Sequence, residues 1–212
     1  MHFLKVLIIT ILLISVSSVN ALRIDSERAF RNSTVTIDIA LNNVTGEYNR
    51  RISEIDESFW AKSLYGYGAS FQRAVTSQFA IGISFAQLHN KISTGASKSS
   101  DVSSKFTSYS GFVTFSFSKV FYRKPFFKLE YGKIKGKTDD LDTSVETEFT
   151  NYYSIAAGVN TISVKYVVFN FEVFYKSIKT DDIEIFGYSS SQIDDKLNTF
   201  GFQLGLGYNF NL

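Results

Sequence analysis

The chain has 212 residues, enough for one domain, and its 22 Lys and Arg nearly balance 20 Asp and Glu, so nucleic acid is excluded as a partner class. Cysteine is absent, which excludes disulfides, thiolate metal sites and cysteine nucleophiles together. With 21 Phe, 12 Tyr and a single Pro, the composition favours pleated strands.

Taken in chain order, residues 1–21 read as a cleaved export signal. Lys5 supplies the positive end, Val6 to Val16 is almost unbroken Leu, Ile and Val, and Val19-Asn20-Ala21 offers small residues for cleavage after Ala21. The apolar run falls short of the roughly 20 residues a spanning helix needs. Residues 22–212 are then expected to form one β domain.

Period-2 alternation follows in eight segments. Val35, Ile37, Ile39 and Leu41 alternate with Thr34, Thr36, Asp38 and Ala40. Tyr65, Tyr67, Ala69 and Phe71 alternate with Gly66, Gly68, Ser70 and Gln72. Phe79 to Phe85 and Tyr109 to Phe117 repeat the pattern, with Gly111 on the outer face and Phe112 on the inner one as misfits. Phe127, Leu129 and Tyr131 alternate with Lys128, Glu130 and Gly132; Tyr153 to Val159 and Val167 to Tyr175 come next, with Phe126, Tyr152 and Phe174 as further inner misfits. The last segment is the clearest. Phe200, Phe202, Leu204, Leu206, Tyr208, Phe210 and Leu212 share one face, and small or polar residues share the other.

The spacers 43–62, 89–104, 136–147 and 178–196 are long and polar, whereas 74–77, 119–125 and 160–164 are short. Strict alternation of long and short spacers predicts an all-β, eight-stranded antiparallel up-and-down transmembrane β-barrel with long outer loops and both termini periplasmic. Pro125 is placed in a short turn. A soluble barrel or sandwich would alternate in the same way, but with its small-residue face toward water. A face crowded with Gly, Ser and Ala suits the inside of a narrow barrel instead.

Inward parity brings Asp38, Lys128, Glu130 and Glu172 to the lumen, where unpaired charge is costly. They are expected to form a plug of salt bridges with Lys128 as central cation, since eight strands leave an interior just wide enough for side chains. A narrow diffusion pore lined by the same charges is the alternative. Lys133 and Lys135 continue the outward parity of Leu129 and Tyr131, which makes them candidate contacts for lipopolysaccharide phosphates. Trp60 and Tyr65 are expected at the outer interface. The charged loop 43–62 and the acidic loop 178–196 are candidate binding surfaces for a host or cell-surface ligand, without a diagnostic motif. His89 is placed at the edge of the third strand without the His-x-Ser pairing of lipid deacylases, so no catalytic residue, metal site or cofactor is expected, and a lipid-modifying enzyme ranks last.

In the final strand, Gln203, Gly205, Tyr208 and Phe210 fall in the spacing polar-x-Gly-x-x-aromatic-x-hydrophobic. This resembles the C-terminal signal read by the outer-membrane barrel assembly machinery, although the chain runs on to Asn211 and Leu212. In pattern, residues 30–212 resemble the small eight-stranded outer-membrane barrels, the group of the OmpA membrane domain, OmpX, opacity-type adhesins and "porin family" surface antigens. The resemblance implies a place in the bacterial outer membrane, folding by the barrel assembly machinery and a structural or surface-interaction role. A monomer in contact with outer-membrane lipid and lipopolysaccharide is expected.

Overall fold

The computed structural model describes residues 33–46, 49–50, 53, 62–93, 101–117, 123–139, 144–146, 149–164, 166–179 and 196–210. The expected signal segment 1–21, Trp60 and most of the 43–62 and 178–196 loops lie outside the described residues.

Eight long strands run up and down in chain order: β1 (Ser33–Thr45), β2 (Ser63–Ala74), β3 (Phe79–Ser93), β4 (Asp101–Ser116), β5 (Arg123–Asp139), β7 (Thr150–Val164), β8 (Val167–Lys179) and β9 (Lys196–Phe210). A three-residue strand, β6 (Ser144–Glu146), pairs with the end of β5 above the barrel proper. Every neighbouring pair is antiparallel, and β1 pairs with β9 from Ser33 opposite Phe210 to Thr45 opposite Asn198, which closes the sheet. Each of the eight long strands is thus paired on both sides, the condition for a sheet to stand in hydrocarbon, and among the described strands only the short β6 keeps a free edge.

The register fixes the tilt of the strands. Following cross-strand partners from Asp38 through β2, β3, β4 and β5 arrives at Thr150 on β7. Following them the other way, through β9 and β8, arrives at Asn160. This ten-residue stagger is about 33 Å along the strands, against a circumference of about 38 Å for eight strands, and it gives a tilt of about 40°.

Alternation then separates two surfaces. Outward side chains are apolar and exposed, with Ile37 at 67%, Ile83 at 64% and Leu206 at 55%. With the tilt taken into account, Tyr67, Tyr109, Tyr131, Tyr153 and Tyr175 share a level toward the loop end. Phe79, Phe115, Phe127, Phe169 and Tyr208 lie toward the turn end, and Ile, Val and Leu fill the waist between. Aromatic girdles around an aliphatic band are what a bilayer selects. A continuous belt of this kind far exceeds the apolar patches that water-exposed monomers carry.

The strands run further than the alternation in the sequence suggested. His89 is no loop-edge residue, because β3 continues to Ser93 and pairs His89 with Tyr65 and Lys105. Pro125 likewise sits in β5 opposite Val159, not in the turn. Its carbonyl accepts from Phe117 N–H at 2.9 Å, at the very end of the β4–β5 ladder, where the missing proline N–H removes only a terminal bond. The β2–β3 turn is tightened by Thr76, whose hydroxyl accepts from Gln78 and Phe79 N–H at 3.2 and 3.0 Å.

Candidate functional site in the lumen

Inward-facing side chains fill the barrel in layers. Toward the loop end lies an apolar layer of Val44, Leu64, Leu88, Phe106, Ile134, Tyr152, Ile178 and Leu197, all at most 4% exposed. Each comes from a different one of the eight long strands, and the tilt brings them to one level, so together they form a ring across the lumen. Sequence reasoning missed this ring. Its signal was present as large apolar residues on the otherwise small or polar parity, but strands had to be extended into the spacers to see it.

A charged layer lies directly beneath. Lys128 donates to Glu172 at 2.5 Å, and Glu130 stands 3.7 Å from the same ammonium. Glu130 also accepts from the Ser110 hydroxyl and from the Tyr152 hydroxyl, both at 2.6 Å. Ser84 and Ser110 share a hydroxyl contact of 2.5 Å. Tyr152 therefore belongs to both layers, its ring in the apolar one and its O–H in the charged one. Asp38 is buried on the lumen side of β1 beside Gly68, in a small polar cavity of about 60 Å³ that Lys128, Glu172, Lys176 and Gln203 also line.

Lys128 is not the sole cation here. Lys176 is equally buried and stands over the Tyr152 ring at 4.5 Å, a cation–π contact. Lys128 itself lies 5.5 Å from the Phe112 ring. The structure thus brings Lys128, Glu130 and Glu172 together, places Asp38 at their level, and adds Lys176, Tyr152, Ser84 and Ser110 to the network. With most charges and hydroxyls engaged on one another, the layer is arranged to hold the strands together.

The four inner aromatics that looked like misfits, and Phe106 with them, have a geometric reason. Phe106, Phe112, Phe126, Tyr152 and Phe174 stand directly opposite Gly136, Gly82, Gly158, Gly132 and Gly201. A Cβ added at Gly82, Gly158 or Gly201 would collide with the ring of its partner. In so narrow an interior a ring fits only where the neighbouring strand gives up its side chain, the cross-strand glycine–aromatic device of curved sheets.

Of the remaining sequence candidates, the two lysines and the histidine lie outside the lumen layers. Lys133 and Lys135 point outward on β5 near the loop end, and Lys135 pairs with Glu146 at 2.5 Å beside the Phe149 ring. His89 has the rings of Tyr65 and Tyr67 each 6.4 Å away, and among the described residues no group of His, Asp or Glu is placed to hold a metal. Of the four residues that resemble an assembly signal, Gln203 and Gly205 face the lumen, while Tyr208 and Phe210 face outward with rings stacked at 6.4 Å.

No protein-family model and no curated protein sequence matches the chain. Solved structures do. Ail, the attachment invasion locus protein of Yersinia pestis, solved with the heparin analogue sucrose octasulfate, is 18% identical, with a TM-score of 0.54 over 85% of this chain and 99% of that one. Neisserial surface protein A is 13% identical, with a TM-score of 0.56 over 85% and 97%. OprG, an outer membrane protein of Pseudomonas aeruginosa, is 12% identical, with a TM-score of 0.53 over 87% and 99%. The chain has the fold of the small eight-stranded outer-membrane β-barrels.

Proposed function

We propose that the protein is an integral barrel of a bacterial outer membrane that acts at its loop end, as a structural or surface-interacting element without enzymatic chemistry. The observation that carries this reading is the apolar ring. Eight side chains, one from each long strand, close the lumen above a charge layer whose groups are engaged with one another. A solute would have to displace both layers, so transport through the interior is disfavoured and the connections at the loop end are left as the working surface. The apolar belt and the export-like N-terminal segment support the membrane placement.

Two measurements test it. Purified protein in planar bilayers is expected to give no large, stable channels; regular openings from the intact chain would overturn the sealed lumen and favour the diffusion pore. Replacing 47–61 or 180–195, which leaves the strand ends and the ring residues Val44 and Ile178 in place, by short linkers is expected to keep the folded band on gels while reducing attachment of expressing cells to host or neighbouring cell surfaces. Attachment unchanged by either replacement would contradict a role for the loops.

A further inference from the structure

The lipid-facing belt is hollow around Gly111. Gly111 faces outward on β4, in register with Ile83 of β3 and Tyr131 of β5. A Cβ there would meet nothing nearer than the Gly82 carbonyl at 3.9 Å. Around it runs an open groove of about 820 Å³, walled by Ile83, Phe85, Tyr109, Tyr131 and Phe149. Phe149 descends from the loop end and lies 6.2 Å from the Tyr109 ring, forming the upper lip with Lys133 beside it.

Above that lip the same strands carry cations in register. Lys105 stands directly opposite Lys137, Thr107 opposite Lys135 and Tyr109 opposite Lys133, while His89 faces Lys105 from β3. Like charges directly opposite destabilise a sheet, so Lys105 facing Lys137 has an energetic cost, part of which Asp139 offsets and which an anion bound at Lys105 would lower further. Lys135 has Glu146 at 2.5 Å and Lys137 has Asp139 at 3.0 Å. Lys105 and Lys133 have no carboxylate partner among the described residues. An apolar furrow capped by ammonium groups is the complement of an amphiphile with acyl chains below and phosphate above.

We propose that the β3–β5 face binds one molecule of lipopolysaccharide, an acyl chain lying over Gly111 and the phosphates of its glycolipid head on Lys105 and Lys133. Cations spread over neighbouring strands suit a head with more than one phosphate better than a single phosphodiester. The proposal rests on the outer-membrane placement and sharpens it to a particular lipid site.

The test uses the full mature chain, folded in detergent and titrated with purified lipopolysaccharide or with phosphatidylglycerol. Gly111→Leu fills the hollow with an apolar side chain, and the pair Lys105→Glu with Lys133→Glu reverses the charge. Each is expected to weaken lipopolysaccharide binding at least about tenfold, Gly111→Leu by excluding the acyl chain and the double reversal by removing two charge-assisted contacts, each of about that scale. Reversal at Lys179 and Lys196, which face each other across β8 and β9, is expected to leave it unchanged. Folded Lys105/Lys133 variants that bind as the wild type does would overturn the site, whether or not Gly111→Leu folds. So would an equal loss in the Lys179/Lys196 control, or phosphatidylglycerol binding as tightly. Cellular location is read separately by fractionation, so failure here is distinct from failure of the outer-membrane reading.

Discussion

At the scale of single residues, the lumen is decided by a few exchanges of volume and charge. Lys128 stands between Glu172 and Glu130, so Lys128→Met leaves two buried carboxylates facing an apolar neighbour. Removing one partner of a buried ion pair costs about 3–5 kcal/mol, and the urea midpoint for loss of the folded band should fall accordingly. An unchanged midpoint would mean that the cation contributes little and that Lys176 suffices. The glycine–aromatic pairs make a second, sharper prediction. Gly82→Ala should cost about 1–3 kcal/mol by overpacking against Phe112 and the Phe71 carbonyl. In a Phe112→Leu background that cost should shrink by about 0.5 kcal/mol or more, and equal costs in both backgrounds would contradict the pairing. Parity in the sequence was enough to assign Asp38, Lys128, Glu130 and Glu172 to the interior. It could not show that Phe112 meets Gly82 or that the Tyr152 hydroxyl reaches Glu130, because those contacts depend on register between strands, which one strand's alternation does not contain.

At the scale of elements, alternation located every long strand but set the ends too short. Strands of 12 to 17 residues rise past the apolar belt into stretches where outward residues turn polar, as with Lys105, Lys135 and Lys137. There the hydrophobic contrast fades while the hydrogen-bond ladder continues, which is why His89 and Pro125 were assigned to connections. The inner face keeps its contrast in reverse: Leu64, Leu88, Ile134 and Ile178 carry apolar weight on the small-residue parity. The outer face of a strand gives the clearest test of its solvent. Ile37 is 67% exposed at the waist of β1. In water, Ile37→Arg would be close to neutral, within about 0.5 kcal/mol. Near the midplane of a bilayer it should cost about 2–4 kcal/mol, measured by urea titration in phospholipid vesicles. The same change at Thr45, near the loop end of the same strand, should cost much less; equal small effects at both sites would argue for an aqueous surroundings of the belt.

At the scale of the molecule, three features agree. The β1–β9 seam closes the sheet, the ten-residue stagger tilts it, and the two layers of the lumen fill the interior that this geometry leaves. Fold class was legible in the sequence because long and short spacers alternate around eight segments of one period. What the loops bind was not legible, since their charged residues follow no spacing that a particular ligand demands. Closure predicts a compact species that resists detergent until heated. The most direct measurement is gel mobility of the protein from isolated outer membranes, with and without boiling. The protein is expected in that fraction, migrating at one position unheated and at another after boiling. A chain recovered soluble from the periplasm, or one whose mobility is the same before and after heating, would contradict this expectation.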